Sequence, residues 1–240
     1  MPLPNPPNGW GADELTKFID TARHNVYATF DNLKEEYAKL SAVDAALRKL
    51  MENLTNTKDW FAAFFVVRAH SAFLAGVHLA MAGQIPEAYA CLRLTIEHML
   101  YGFYLAKTPA SRETWLRRHD DDDAKKKVRD EFKYRTLVDT LKAADATGGA
   151  VAELLYDRTI DYGAHPNERA LMQTLKMEKG EDKDEFQIVY LSGDSLALRL
   201  VLKTAAQVGA CTLGAFRLIY KERFDLLGLT DALHQLRQAL

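Results

Sequence analysis

EAYACLRLTIEHMLYGFYLA, Glu87 to Ala106, is apolar on nearly every side when wound as an α-helix. A surface helix shows one apolar stripe and one polar face, so this segment belongs inside its domain. Two charges interrupt it, Arg93 and Glu97, four residues apart and therefore on one face. Tyr89 and Tyr104 fall on that same face by helical geometry. An exposed Arg–Glu pair contributes little, but charges embedded among apolar side chains must be matched or they cost several kcal/mol. The segment predicts a buried ion pair that fixes helix packing, or else a pair that lines a pocket.

Spacing at three and four residues runs on through both flanks, and strand-like alternation is nearly absent. The pattern predicts an all-α fold, a bundle of about six to eight helices with at most one short hairpin. Upstream, a first helix is expected from about Asp13 to Leu40, and Ser41-Ala-Val-Asp reads as a capping-box start for a second, through Leu54. Thr57 or Asp59 caps a helix that ends at Gly83. Pro86 suits the first turn of the next, which runs to about Lys107. Downstream, Ser111 starts a short helix, and Gly148-Gly149 breaks the chain before a helix from Ala150 to Tyr162 that stops at Gly163. Glu178 to Glu185 reads as a charged loop and Phe186 to Leu191 (FQIVYL) as the one strand-like stretch. A long helix from Ser195 to about Arg223 and a short one from Thr230 complete the chain.

A chain of 240 residues, 48% hydrophobic, can bury a large core, and no Ser/Gly-rich linker divides its interior. Residues 12–240 therefore read as one helical domain behind a Pro-rich arm, residues 1–11 (MPLPNPPNGWG), which lacks the basic-then-apolar build of a signal peptide. The formal net charge of −2 gives no global pull toward nucleic acid or anionic lipid, so RNA is a partner without support from charge. Trp60–Ala82 and Leu196–Tyr220 are apolar enough to be mistaken for membrane spans. Arg68, His70 and His78 interrupt the first, Arg199, Lys203 and Arg217 the second, and a central Arg or Lys costs about 3 kcal/mol on insertion. Both read as core helices, with no membrane partner. Cys91 and Cys211 sit in apolar helical patterns and read as reduced small hydrophobes, which fits a cytoplasmic location.

Histidines and carboxylates on neighbouring helices invite a metal reading: His70 and His78 precede the central segment and His98 adjoins Glu97. Yet the chain has no Glu-x-x-His pair of a diiron bundle, no His-Glu-x-x-His and no paired Cys motif. No metal is expected, and His70 reads as a satisfied core histidine. Phosphate-binding glycine loops and the Gly-x-Ser-x-Gly elbow are absent as well, so no cofactor is expected. The acids Asp120–Asp123, just ahead of Lys125–Lys127, suit a helix dipole and one-turn pairing. The competing reading is a basic patch of Arg117, Arg118, those lysines, Arg129, Lys133 and Arg135, weakened by the interleaved acids. In YDRTIDYGAHPNERAL, Tyr156 to Leu171, Arg158 and His165 flank a helix end. There the histidine ring faces a cleft as a candidate catalytic group, or else His165 and Asn167 bind free helix carbonyls.

An apolar helix with His70, a helix carrying Leu-Arg-x-x-x-Glu (Arg93, Glu97), then Tyr162 and His165-Pro166-Asn167: over roughly Trp60 to Tyr220 this layout resembles the uncharacterised bacterial HEPN-like helical families. The resemblance implies a helical bundle that dimerises. It also implies a motif for active members, metal-independent ribonucleases of toxin and anti-phage systems, that fits Arg158 to His165. In that chemistry His165 is the general acid/base on a ribose hydroxyl and Arg158 stabilises phosphate charge. Thr159 follows the arginine here, where active members carry Asn, Asp or His. The leading expectation is therefore a non-catalytic or ligand-binding protein held together by Arg93 and Glu97. The alternatives are the ribonuclease and, behind it, a metal-dependent bundle enzyme.

Overall fold

The computed structural model describes residues 5–54, 59–166, 168–179 and 184–240, and among them the chain forms twelve α-helices and one two-stranded hairpin. The all-α bundle is what the periodicity predicts. Its helices outnumber six to eight because several long periodic stretches divide into shorter ones.

The first division shows why. Helix α1 (Glu14–Asn32) starts where Asp13 accepts a hydrogen bond from the Thr16 amide. It ends at Leu33, and α2 (Lys34–Met51) follows at once. The break expected at Ser41 is corrected: Ser41 lies inside α2. Leu33 is buried, so the chain turns there to lay Leu40, Val43, Leu47 and Leu50 on the same core.

Helices α3 (Trp60–Ala82) and α4 (Ile85–Lys107) form the central hairpin, joined through Gly83. Its φ of 83° is a left-handed conformation that glycine adopts freely. Ser192 fixes the corner, its amide donating to the Gly83 carbonyl at 2.9 Å. Helix α1 satisfies the free carbonyls at the end of α3: Thr29 Oγ1 donates to Met81 O and Asn25 Nδ2 to Ala82 O.

The short helices α5 (Ser111–Leu116) and α6 (Asp122–Glu131) lead to α7 (Tyr134–Ala144) and α8 (Ala146–Thr159). One residue, Asp145, ends α7 and caps α8 through the Gly148 amide. Gly148-Gly149 therefore opens α8 rather than breaking the chain. A Cβ at Gly149 would strike the Lys142 backbone, so the glycine permits the tight α7–α8 corner. A π turn, Ile160–Ala164, ends α8 against α4, with Gly163 on the Pro86 backbone.

Beyond it come α9 (Glu168–Thr174) and the antiparallel strands β1 (Leu175–Lys179) and β2 (Asp184–Ile188), with Met177 opposite Phe186. The charged stretch expected as a loop supplies arms of this hairpin, and residues 180–183 lie outside the described residues. Helix α10 (Leu196–Arg217) is capped by Ser195 and stops before Arg223. Helices α11 (Lys221–Leu226) and α12 (Leu229–Ala239) complete the bundle. Arg223 lies in α11, where its Nε donates to the last carbonyls of α2 at Leu50. Helix α10 packs on α2, α3, α4 and α8, and a single buried cluster runs from Leu33 to Leu236. Helices α3 and α10 are long and apolar enough to cross a membrane, but half and two thirds of their most apolar windows are buried against protein.

Candidate functional site

Helix α8 sends Val151, Leu154, Leu155 and Arg158 toward α10 and α12, and between these three helices lies a half-open cleft of about 350 Å³. Its walls are mostly apolar, and its charged lining is two arginines, Arg158 and Arg237, with one carboxylate, Asp145. Arg158 Nη1 donates to Gln207 Oε1 at 2.8 Å and to Thr204 Oγ1 at 3.3 Å, both on α10. Arg237, from α12, lies over Gly214, where any Cβ would collide with its guanidinium. Gln207 and Gly214 are seven residues apart, so the two guanidiniums rest on one face of α10 about 10 Å apart along its axis. Neither has a carboxylate partner among the described residues, and the rim carboxylate of Asp145 is engaged as the cap of α8. Cys211 floors the cleft. Burial pushes its thiol up to about 12, so it acts as an inert hydrophobe.

His165 does not join this site. It follows the π turn on extended backbone (φ −135°, ψ 147°), exposed to solvent and outside the cleft lining. Arg158 points the other way, into α10. The two residues are neighbours in sequence that the structure does not bring together. Asn167, the other expected carbonyl partner, lies outside the described residues.

Arg93 and Glu97 do pair, Nε to Oε1 at 2.9 Å, but their side chains are 24% and 36% exposed. The expected burial is corrected: one side of α4 stays open here, where α8 reaches the pair with Tyr156. Arg93 sits 5.1 Å above the Tyr156 ring, Tyr156 Oη donates to Glu97 Oε1 at 3.4 Å, and Tyr134 stacks on Tyr156 with centroids 3.8 Å apart. Burial, then the Glu97 charge, raises the Tyr156 phenol above its ordinary range. Tyr89 and Tyr104 stand apart from the pair. Tyr89 is buried against Tyr162, centroids 5.5 Å apart, and burial lifts its hydroxyl to about 12. Tyr104 is buried edge-on to Phe132.

His70 is a satisfied core histidine, its Nε2 2.6 Å from Asp44 Oδ1. Burial acts to raise the Asp44 carboxyl, but hydrogen bonds from Arg48 and His70 prevail and hold it below the usual range. His98 packs beside Phe65, and burial with nearby Arg68 lowers its pKa. Among the described residues no three His, Cys, Asp or Glu side chains gather as a metal-binding group. The charge block at Asp120 is a helix start: Asp121 accepts from the Ala124 amide, and Arg117–Asp120 and Lys125–Asp122 pair on the exposed surface.

Sequence reasoning missed Gln207, Arg237 and Tyr134. Gln207 leaves a signal, an amide side chain among the small apolar residues in the middle of α10. Arg237 leaves none, since only the return of α12 brings it over Gly214. Set against models of protein families, curated proteins and solved structures, the chain has no match in any of the three.

Proposed function

We propose that the chain is a non-catalytic, ligand-binding helical protein of the HEPN-like type, cytoplasmic, which takes an anion with an apolar body into the α8–α10–α12 cleft. The lodging of Arg158 carries this reading. Its guanidinium is oriented by two neutral acceptors rather than neutralised by a carboxylate, so its charge is free to meet a ligand head group. Val151, Leu154 and Leu155 offer the apolar wall beside it. A general acid/base has to stand within hydrogen-bond reach of the proton it moves, and His165 lies outside the cleft that holds the arginine. Acids at 153, 157 and 161 follow one another at four-residue spacing beside Arg158, with Glu153 paired to Lys142, and Asp161, in the π turn, paired to Arg169. Burial together with Glu153 and Asp161 pushes the Asp157 carboxyl up, a mark of how closely these acids crowd.

The test is incubation of purified protein with mixed RNAs in EDTA, beside Arg158→Ala and His165→Ala. No cleavage above background is expected from any of the three. EDTA-resistant cleavage by the wild type that both variants abolish overturns the reading in favour of the ribonuclease.

A further inference from the structure

We infer that an aromatic trough formed by α3, α4 and α5 is a binding site for a flat aromatic carboxylate, whose charged end is received by Arg68. The trough shares no residue with the α8–α10–α12 cleft, so this inference is independent of the function proposed above. It encloses about 510 Å³, a volume typical of small-molecule sites. Phe61 and Phe65 are buried and form its floor, while Trp60 and Phe64, both more than half exposed, stand at its rim. Trp115, from α5, packs on both floor rings, its centroid 5.9 Å from that of Phe61 and 5.5 Å from that of Phe65.

The rings decide the body of the ligand. Trp60 meets Phe61 and Phe64 at 79° and 87°, and Phe61 meets Trp115 at 87°. Aromatic rings attract edge to face, so this crossed array offers both edges and faces to a further flat ring. An alkyl chain would gain only burial there, and it would lose rotor freedom on being fixed. A single cation decides the head. Arg68 is the one charged residue of the described lining, exposed one turn along α3 from Phe64, and it has no ion-pair partner among the described residues. Trp60 and Arg68 are eight residues apart, about 12 Å along the helix, which matches the length of a two-ring acid. From α4, His98 brings a second unmet group close to Arg68: its Nε2 is buried with no hydrogen-bond partner among the described residues. A neutral imidazole carries one N–H, and on Nε2 it donates to a carboxylate oxygen held by Arg68. Glu97, the neighbouring acid, is engaged by Arg93 and Tyr156 and leaves this end of the trough cationic.

Two of the chain's three tryptophans line the trough, so fluorine NMR of protein carrying fluorotryptophan reads it directly. Titration with naphthoate should shift the Trp60 and Trp115 resonances together and leave that of Trp10 in place. Arg68→Gln, at an exposed position, should weaken naphthoate about tenfold and leave the uncharged naphthalenemethanol at its wild-type affinity. Phe64→Ala, with an unchanged circular dichroism spectrum, should weaken both ligands alike. The absence of any shift up to about 1 mM naphthoate, the weak end for a ligand of this size, overturns the inference. So does an equal loss of acid and alcohol in Arg68→Gln, or undiminished binding by Phe64→Ala. Decanoate that shifts the same two resonances with the affinity of naphthoate assigns the trough to fatty acids and equally overturns it.

Discussion

Glu97→Ala measures how much the pair on α4 contributes. A fully exposed Arg–Glu pair is worth about 0–1 kcal/mol, and breaking a fully buried one costs about 3–5 kcal/mol. Here both ends are partly open, at 24% and 36%, so solvent screens a good part of the attraction. The variant loses the 2.9 Å hydrogen bond from Arg93 and the weaker one from Tyr156. It keeps the Arg93–Tyr156 contact, which holds the guanidinium in place and limits the damage. The net cost should be about 1.5 kcal/mol, equivalent to a fall of about 3–6 °C in Tm for a chain of this size. Urea unfolding followed by circular dichroism reads the cost, and a cycle with Arg93→Ala isolates the pairwise part. A loss of about 4 kcal/mol or more would place the pair in the dry interior and refute this geometry. Additive single variants would show that the pair does not interact at all.

Gly209→Ala should cost about 1–3 kcal/mol in the same assay, since the added methyl would drive into Val43 and Phe73. Asp44 titrates below its ordinary value in the folded chain. Its stabilising contribution is therefore present above the unfolded pKa of about 3.9 and lost as pH falls through the depressed folded value. Asp44→Asn should flatten that acid limb, and an unchanged limb would count against the His70–Asp44–Arg48 cluster. Cys211 should stay unreactive toward a thiol reagent at pH 8 until the chain unfolds, while Cys91, half-buried and less strongly raised, reacts first. Equal rates for both thiols would contradict the buried floor of the cleft.

The central hairpin was legible because its information is local. The left-handed turn at Gly83, Pro86 in the first turn of α4 and the unbroken apolar spacing each act within a few residues. The division at Leu33 was not, since nothing near Leu33 stops a helix; the chain bends there because α2 must reach the core beside α10. His70 was read correctly as a core histidine, but its partner Asp44 sits 26 residues earlier on another helix. Burial of the Arg93–Glu97 pair failed for a related reason. Composition reports how apolar a helix is, and only packing decides which of its sides the neighbours leave open. The Arg158–His165 spacing failed through local geometry, because the guanidinium turns into α10 while the π turn carries the histidine out to solvent.

The central claim, that Arg158 serves a binding cleft and not a catalytic pair with His165, is tested most directly by calorimetric titration with decanoate, an anionic head on an apolar body. The account predicts that wild-type protein binds decanoate, that Arg158→Gln weakens binding about tenfold by removing one charge-assisted contact, and that His165→Gln leaves the affinity unchanged. Equal losses in the two variants would put both residues in one site, and an absence of binding by the wild type would leave the cleft without the ligand its chemistry calls for; either result contradicts the account.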